Sequence, residues 1–238
     1  MLFRSDFLET YPWLSSHPRF ESLIFAPGLA MVVVGGLLAP AQRRLGLLMG
    51  YAALVDSGAA LIALSMSSRL GLALVILSLL MRPFGLILMS AGLSGLRARN
   101  GGTDDFDALR GLGWQARWST AALVFGGLSA AGLPVSAGFI YRWALCRALA
   151  PSSPGAALLL LLAGVGVMVG VGRALSALVV RPRSSEDRSV ASSVPPEGRL
   201  TAVVVVVAIM ACVGVGLFPQ VLAPLAVRLT EAYTFFTP

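Results

Sequence analysis

The chain has 238 residues, of which 57% are hydrophobic and only 12% are charged, and its formal net charge is +7. Soluble domains have a charged fraction of about 25%, so this composition excludes an ordinary soluble protein and indicates an integral membrane protein. In a soluble protein a charge of +7 would indicate a nucleic-acid partner. Here most arginines lie in loops and near span ends, which is typical of membrane topology.

Six apolar runs reach or exceed the roughly 18 residues that cross a hydrocarbon core about 30 Å thick. They are Leu23 to Pro40, Leu45 to Met66, Gly71 to Leu96, Ser119 to Leu149, Pro154 to Val180 and Leu200 to Val227. The sequence therefore predicts an all-α bundle of about six transmembrane helices, in one domain over residues 23–227. Residues 1–22 mix charged and aromatic side chains, which favours an interfacial segment, and residues 228–238 are expected to form a C-terminal tail.

The fourth run is too long for one straight crossing, because its residues at about 1.5 Å each overshoot the bilayer. Its interior contains Gly132, Pro134 and Gly138. The run is therefore predicted to form two half-helices around a break at mid-membrane. Backbone without helical hydrogen bonds is tolerated at that depth only where protein or trapped water surrounds it, so we expect the functional site at this break.

Three charged side chains inside the runs are the candidates for a proton or ion path. Asp56 lies about midway along the second run, so it must be protonated, paired or facing water. Arg142 follows the break and either lines a buried site or snorkels outward. Arg82 precedes Pro83, which frees the carbonyl of Leu79, and its guanidinium either satisfies that carbonyl or takes part in transport.

The loops 97–117 and 181–199 are the two long connections. In the first, Thr103 precedes three aspartates, a pattern that predicts an N-cap and the acidic first turn of a short surface helix. The second is rich in Ser, Arg, Glu and Pro and is predicted to be a mobile solvent loop. Gly166 and Gly170, four residues apart in the fifth run, predict close approach of another helix.

The distribution of arginine predicts the orientation. If all six runs cross, the odd-numbered loops carry ten arginines and the opposite side carries five. The positive-inside bias then places the odd loops in the cytoplasm and both termini outside, and the expected location is a bacterial inner membrane. No nucleotide-binding loop, metal-ligand cluster or Ser/His/Asp set is evident, so no cofactor, metal or catalytic chemistry is predicted within the chain.

Three motifs, in the same order along the chain, carry a family resemblance. The segment SAAGLPVSAGFIYRW follows DALRGL and a span, GYAALVDSG occupies residues 50–58, and MSAG occupies residues 89–92. Together they resemble the antiporter-like membrane subunits of respiratory complex I and the related Mrp cation/proton antiporters. In the broken-helix motif of that family, Ser129, Gly132, Pro134, Gly138 and Phe139 match in order, and Arg142 stands where the family has a lysine. The resemblance covers most of residues 40–149 and implies the second half of a family member.

The departures from the family are as informative as the matches. The resemblance implies a path of buried lysines, histidines and a glutamate, but this chain contains no lysine. The family's other polar positions fall near Gly46, Ile76, Leu80 and Phe84, which are apolar here. Arginine stays protonated at any working pH, so Arg142 can set a field but can hardly exchange a proton.

Two functional hypotheses follow from the resemblance. In the first, the chain is a membrane subunit of a proton-translocating complex I-like oxidoreductase or Mrp-like antiporter, with the missing groups supplied by a partner. In the second, it is a non-conducting antiporter-like remnant that scaffolds a larger membrane complex. Both hypotheses require neighbouring membrane subunits, one of which could supply the missing half of the fold.

Overall fold

The computed structural model describes residues 18–66, 68–180, 197–218 and 220 of the chain. The α-helices of these residues are α1 Pro18–Leu38, α2 Leu45–Ser65, α3 Arg69–Arg99, α4 Arg117–Ala131, α5 Ala137–Leu149, α6 Pro154–Val179 and α7 Arg199–Leu217. Short 3-10 helices, Ala39–Ala41 and Leu112–Trp114, lie in two of the connections. Residues 1–17 of the predicted segment 1–22, the predicted tail 228–238 and most of the loop 181–199 lie outside the described residues.

Within the described ranges, five helices are long and apolar enough to cross a membrane, namely α1, α2, α3, α6 and α7. The helices α4 and α5 have 15 and 13 residues, so neither reaches the roughly 18 residues that a crossing needs. Together they occupy the fourth predicted run, Ser119 to Leu149. The chain is therefore an integral membrane protein with an all-α fold, and this prediction is confirmed.

Small residues bring α1 and α6 into backbone contact. A β-carbon added to Gly36 would lie 2.5 Å from the Cα of Ala163, and one added to Gly166 would collide with the carbonyl oxygen of Gly36. One turn further along α6, a β-carbon on Gly170 would lie 2.9 Å from the carbonyl oxygen of Ala39. Because lipid gives helices little hydrophobic reason to associate, such close packing is a main source of attraction between them. The predicted packing role of Gly166 and Gly170 is confirmed.

The predicted break in the fourth run is also confirmed. Helix α4 ends at Ala131 and α5 begins at Ala137, so the helix is interrupted over residues 132–136. Gly132 and Pro134 lie inside the break, whereas Gly138 belongs to the first turn of α5. The interruption coincides with the residues that cannot continue a helix favourably, since proline has no N–H to donate.

The end of α4 is a Schellman motif. Gly132 takes the left-handed conformation, with φ at 87°, and its N–H donates to the carbonyl of Ser129 at 3.0 Å. The N–H of Leu133 donates to the carbonyl of Leu128, also at 3.0 Å. This pattern satisfies two of the last carbonyls of the helix, and only glycine adopts the required φ without steric cost.

Val135 is the strained residue of the break. Its φ of 77° is unusual for a β-branched side chain, which collides with its own backbone in that region. Helix α7 lies directly against it, since a β-carbon on Gly216 would be 2.5 Å from the carbonyl oxygen of Val135. The contact with α7 thus helps to hold the break in a conformation that the local sequence disfavours.

The surface helix predicted in the loop 97–117 is absent. Residues 101–111 form extended backbone and turns, and Thr103 caps no helix, because its hydroxyl donates to the carbonyl of Asn100 at 3.0 Å. The three aspartates instead pair with arginines, in the pairs Asp104–Arg97, Asp105–Arg44 and Asp107–Arg110. The pairs of Asp104 and Asp105 connect the loop to α3 and to the start of α2. These aspartates therefore bind arginines of other elements and do not form the first turn of a local helix.

Asp104 caps the N-terminus of α2. Its Oδ2 accepts hydrogen bonds from Arg97 Nη2 at 2.5 Å and from the N–H of Gly46 at 3.1 Å. Burial raises the pKa of Asp104, but these hydrogen bonds and the charges of Arg97 and Arg44 outweigh burial and hold the pKa below its usual value. A β-carbon at position 46 would lie 2.8 Å from Arg97 Nη2. A guanidinium therefore lies beside Gly46, near which the resemblance implies a lysine.

Replacing Val135 with glycine tests the strain at the break. The side chain is 50% exposed, so its removal forfeits little packing, whereas relief of the left-handed φ should stabilise the protein by about 1 kcal/mol. The measurement is denaturant unfolding of the purified protein in detergent. Val135→Ala is the control, because it shortens the side chain and keeps most of the strain. A glycine variant less stable than the alanine variant would show that the break is not strained there.

Candidate functional site at the broken helix

Asp56 lies at the centre of a buried polar cluster. It is placed 11 residues after the first residue of the 21-residue helix α2, and it is only 3% exposed. Its Oδ1 accepts hydrogen bonds from the hydroxyl of Tyr141 at 2.5 Å and from Nη2 of Arg142 at 2.7 Å. Of the three states that the sequence left open for Asp56, the structure shows the paired one.

Arg142 connects α2 to both halves of the broken helix. Its side chain is carried by α5, its Nη2 donates to Asp56 of α2, and its Nη1 donates at 3.0 Å to the carbonyl of Ala131, the last residue of α4. The residue is 5% exposed, so it does not snorkel to a surface. A single guanidinium thus satisfies a carbonyl that the Schellman motif leaves free and holds a carboxylate 86 residues away in sequence.

The glycines around the break make room for this guanidinium. A β-carbon on Gly132 would lie 2.8 Å from Cδ of Arg142, and one on Gly164 of α6 would lie 2.9 Å from its Nη1. Gly138 has a different task, because a β-carbon there would collide with the carbonyl oxygen of Ser129 and push α5 away from α4. Two of these glycines therefore admit the Arg142 side chain, and the third sets the spacing of the half-helices.

Arg82 approaches α2 separately from the Asp56 cluster. Its Nη2 donates to the carbonyl of Ala53 at 2.8 Å and to Oγ of Ser57 at 2.6 Å. Neither hydrogen bond goes to the carbonyl of Leu79, so the predicted local repair at Pro83 is wrong. The guanidinium instead connects the middle of α3 to the middle of α2.

Sequence reasoning missed Tyr141 and the carbonyl of Ala131. Tyr141 is buried next to Arg142 on α5, and the two side chains reach the same carboxylate oxygen although neighbouring helical residues point about 100° apart. A tyrosine followed by an arginine in an apolar run was the available signal, since both side chains need a polar partner when they are buried.

Glu197 was also missed, because the loop before α7 was predicted to be mobile. Its side chain is buried, and its two oxygens accept hydrogen bonds from the N–H groups of Trp118 and Ser119 at 2.6 and 2.9 Å. The hydroxyl of Ser119 donates to the same carboxylate at 2.5 Å, and Arg99 lies 3.9 Å away. Glu197 therefore caps the N-terminus of α4 from a distant part of the chain, and it fixes the end of this half-helix that lies away from the break.

The cluster combines one titratable group with one fixed charge. Within the described helices, Asp56 and Arg142 are the charged residues that are buried. A carboxylate can take up a proton, whereas a guanidinium remains charged, and the tyrosine hydroxyl can donate to either form of the acid. The arrangement is able to couple protonation of Asp56 to the strength of the contact between α2 and the broken helix.

A profile of the family described as NADH:quinone oxidoreductase/Mrp antiporter, TM, matches residues 5–168. The chain is 33% identical over 207 residues to NADH-quinone oxidoreductase subunit N 1 of Solidesulfovibrio magneticus, an alignment that covers 85% of this chain and 43% of that protein. It is 26% identical over 222 residues to NADH-quinone oxidoreductase subunit N of Rhodococcus opacus, which covers 91% and 39% of the two chains.

Solved structures share the fold at lower identity. An archaeal membrane-bound sulfane sulfur reductase matches with a TM-score of 0.77 at 20% identity, over 89% of this chain and 42% of that one. The Mrp complex of Dietzia matches with a TM-score of 0.76 at 17% identity, over 91% and 48%. A chain of respiratory complex I from Thermus thermophilus matches with a TM-score of 0.71 at 21% identity, and the match covers 90% of this chain and 45% of that one. The chain spans less than half the length of each of these proteins.

The Asp56–Arg142 pair should dominate the stability of the cluster. Asp56→Asn or Arg142→Met alone leaves one buried charge without its partner, and each should lower the free energy of unfolding by about 3–5 kcal/mol. The double variant removes both charges, so its loss should fall short of the sum of the two by more than about 1 kcal/mol. Denaturant unfolding in detergent measures all four proteins. Additive losses would mean that the two side chains do not depend on each other.

Proposed function

The chain belongs to the family of NADH:quinone oxidoreductase and Mrp antiporter transmembrane proteins, and we propose that it is a membrane subunit of a complex that moves protons or cations. The observation that carries this proposal is the buried contact from Asp56 to Arg142, which joins a titratable group on α2 to both halves of a broken helix. Intramembrane ionisable groups are costly, and their usual reason to persist is function.

Each residue of the cluster has a distinct role in this proposal. Asp56 takes up and releases the proton, Arg142 is a fixed positive charge beside it, and Tyr141 holds the carboxyl in place through its hydroxyl. When Asp56 is neutral, the attraction between α2 and Arg142 weakens, and the guanidinium keeps the carbonyl of Ala131 as its partner. Protonation thereby changes the link between α2 and the break.

A complete path needs groups beyond this chain. The chain has no lysine, and in the described residues Asp56 is the acid buried within the helices. We propose that the remaining titratable groups come from neighbouring membrane subunits, and that one of these subunits carries the half of the family fold that this sequence does not cover. The balanced charge of the Asp56–Arg142 pair equally favours a second function, in which the chain is a non-conducting scaffold of the same kind of complex.

Proton uptake by vesicles containing the intact complex separates the two functions. The double variant Asp56→Asn with Arg142→Met is the sharpest probe, because it removes the titrating group and leaves no unpaired buried charge. For a conducting chain, we expect unchanged subunit content and at least a tenfold slower uptake. Arg147→Met is the matched control, since Arg147 is an exposed residue in the last turn of α5. If the double variant assembles and takes up protons like the parent, the scaffold function stands.

We further propose that the three odd-numbered loops are cytoplasmic in a bacterial inner membrane and that both termini lie outside. Contacts between these loops support a common side, since Arg44 pairs with Asp105 at 3.0 Å and the indole N–H of Trp114 donates to the carbonyl of Val179 at 2.9 Å. Their excess of arginine supports the cytoplasmic side.

Cysteine labelling in intact cells tests this orientation. Ala108 and Ser152 are exposed residues of connections at opposite ends of the bundle, and the native cysteines Cys146 and Cys212 are buried. A membrane-impermeant maleimide added outside should label Ser152→Cys and leave Ala108→Cys unlabelled until the cells are opened. The reverse pattern would invert the proposed topology.

A further inference from the structure

Arg82 lies near the middle of α3 and binds the middle of α2, so its guanidinium lies at a depth that snorkelling does not relieve. The residue is 13 residues after the first residue of α3 and 17 before the last, which corresponds to about 20 and 26 Å along the helix axis. An arginine side chain is much shorter than either distance. The guanidinium must therefore be accommodated at a depth where a charge without an opposite charge is expensive.

The described residues give Arg82 hydrogen bonds but no opposite charge. Both of its acceptors, the carbonyl of Ala53 and the hydroxyl of Ser57, are neutral, and both are bound by Nη2. Its Nε is buried without an acceptor. The ion pairs within the described ranges involve other arginines, including Arg142, whose partner is the buried Asp56. Arg142 therefore has the carboxylate of Asp56 as its counter-charge, whereas Arg82 has no counter-charge among the described residues.

No described residue covers the helix face beside Arg82. Leu79 and Ile87 are 59% and 60% exposed, and Pro83 between them is also exposed. Pro83 has no N–H and cannot donate the helical hydrogen bond to the carbonyl of Leu79, so this face of α3 also lacks one backbone hydrogen bond. An apolar surface with a cation at its edge fits an apolar helix that carries an anion better than it fits lipid chains.

We propose that a transmembrane helix of a partner subunit covers the face formed by Leu79, Pro83 and Ile87, and that its Asp or Glu side chain pairs with Arg82. The proposal rests on the proposed function only in that the chain works inside a membrane complex. The carboxylate approaches Nη1, which neither described hydrogen bond uses. Charge pairing between helices then supplies the specificity that small-residue packing alone does not give.

The test uses the intact complex, isolated from membranes in mild detergent with a tag on this chain. Arg82→Met removes the charge and roughly keeps the side-chain length, and it should lower the amount of co-purifying membrane subunits at least fivefold. Arg82→Lys keeps a positive charge and should retain most of them. Arg147→Met, the same substitution at an exposed position, should match the parent.

A labelling experiment in the parent background makes the result independent of folding defects. In membranes, a lipid-soluble photoactivated carbene reagent should label Ile87 at least fivefold less than Leu162, an apolar α6 residue that is 55% exposed. Equal labelling in a complex that retains its subunits would overturn the partner face while leaving the proposed function intact. Absence of any co-purifying subunit from the parent would instead contradict the proposed function. The proposal would also be overturned if a second, differently tagged copy of this chain were found in contact with Ile87.

Discussion

The buried ion pair between Asp56 and Arg142 is the contact on which the broken helix depends. Interrupting a helix in apolar surroundings frees carbonyl groups, and each of them needs a donor. The Schellman turn at Gly132 satisfies the carbonyls of Leu128 and Ser129, and Arg142 satisfies that of Ala131. Because Asp56 holds the same guanidinium from α2, the break is stabilised by the bundle and not by the broken segment alone.

This arrangement also limits the chemistry that the chain can perform. A buried lysine can lose its proton when burial disfavours the charged form, whereas arginine keeps its proton. With Arg142 at the break, the positive charge is permanent, and only the carboxyl of Asp56 can change state in the cluster. A change of charge at Asp56 would therefore act mainly through the contact between α2 and the half-helices, so that proton uptake and helix packing are tied to one hydrogen-bonded pair.

The sequence was sufficient for features whose cause is local. Length and apolarity predicted the spans, and Gly132 with Pro134 predicted the break, because these residues act on their own backbone. The pairing of Asp56 with Arg142 was not predictable, since it depends on how α2 and α5 pack. The same limit explains two errors: the aspartates after Thr103 pair with arginines on other elements, and Glu197 caps α4 from 78 or more residues away.

Helix α2 is contacted by two arginines whose charges are balanced differently within the described residues. Two guanidinium groups bind its middle, Arg142 through Asp56 and Arg82 through Ser57, at adjacent residues that point in different directions around the helix. The first carries its own counter-charge and is buried by the half-helices. The second is bound, among the described residues, by neutral oxygens, and it lies beside an exposed apolar face. Within the described residues, the side of α2 that faces the break is therefore closely packed, whereas the α3 face at Leu79 and Ile87 is exposed, and this difference is the basis of the proposed partner contact.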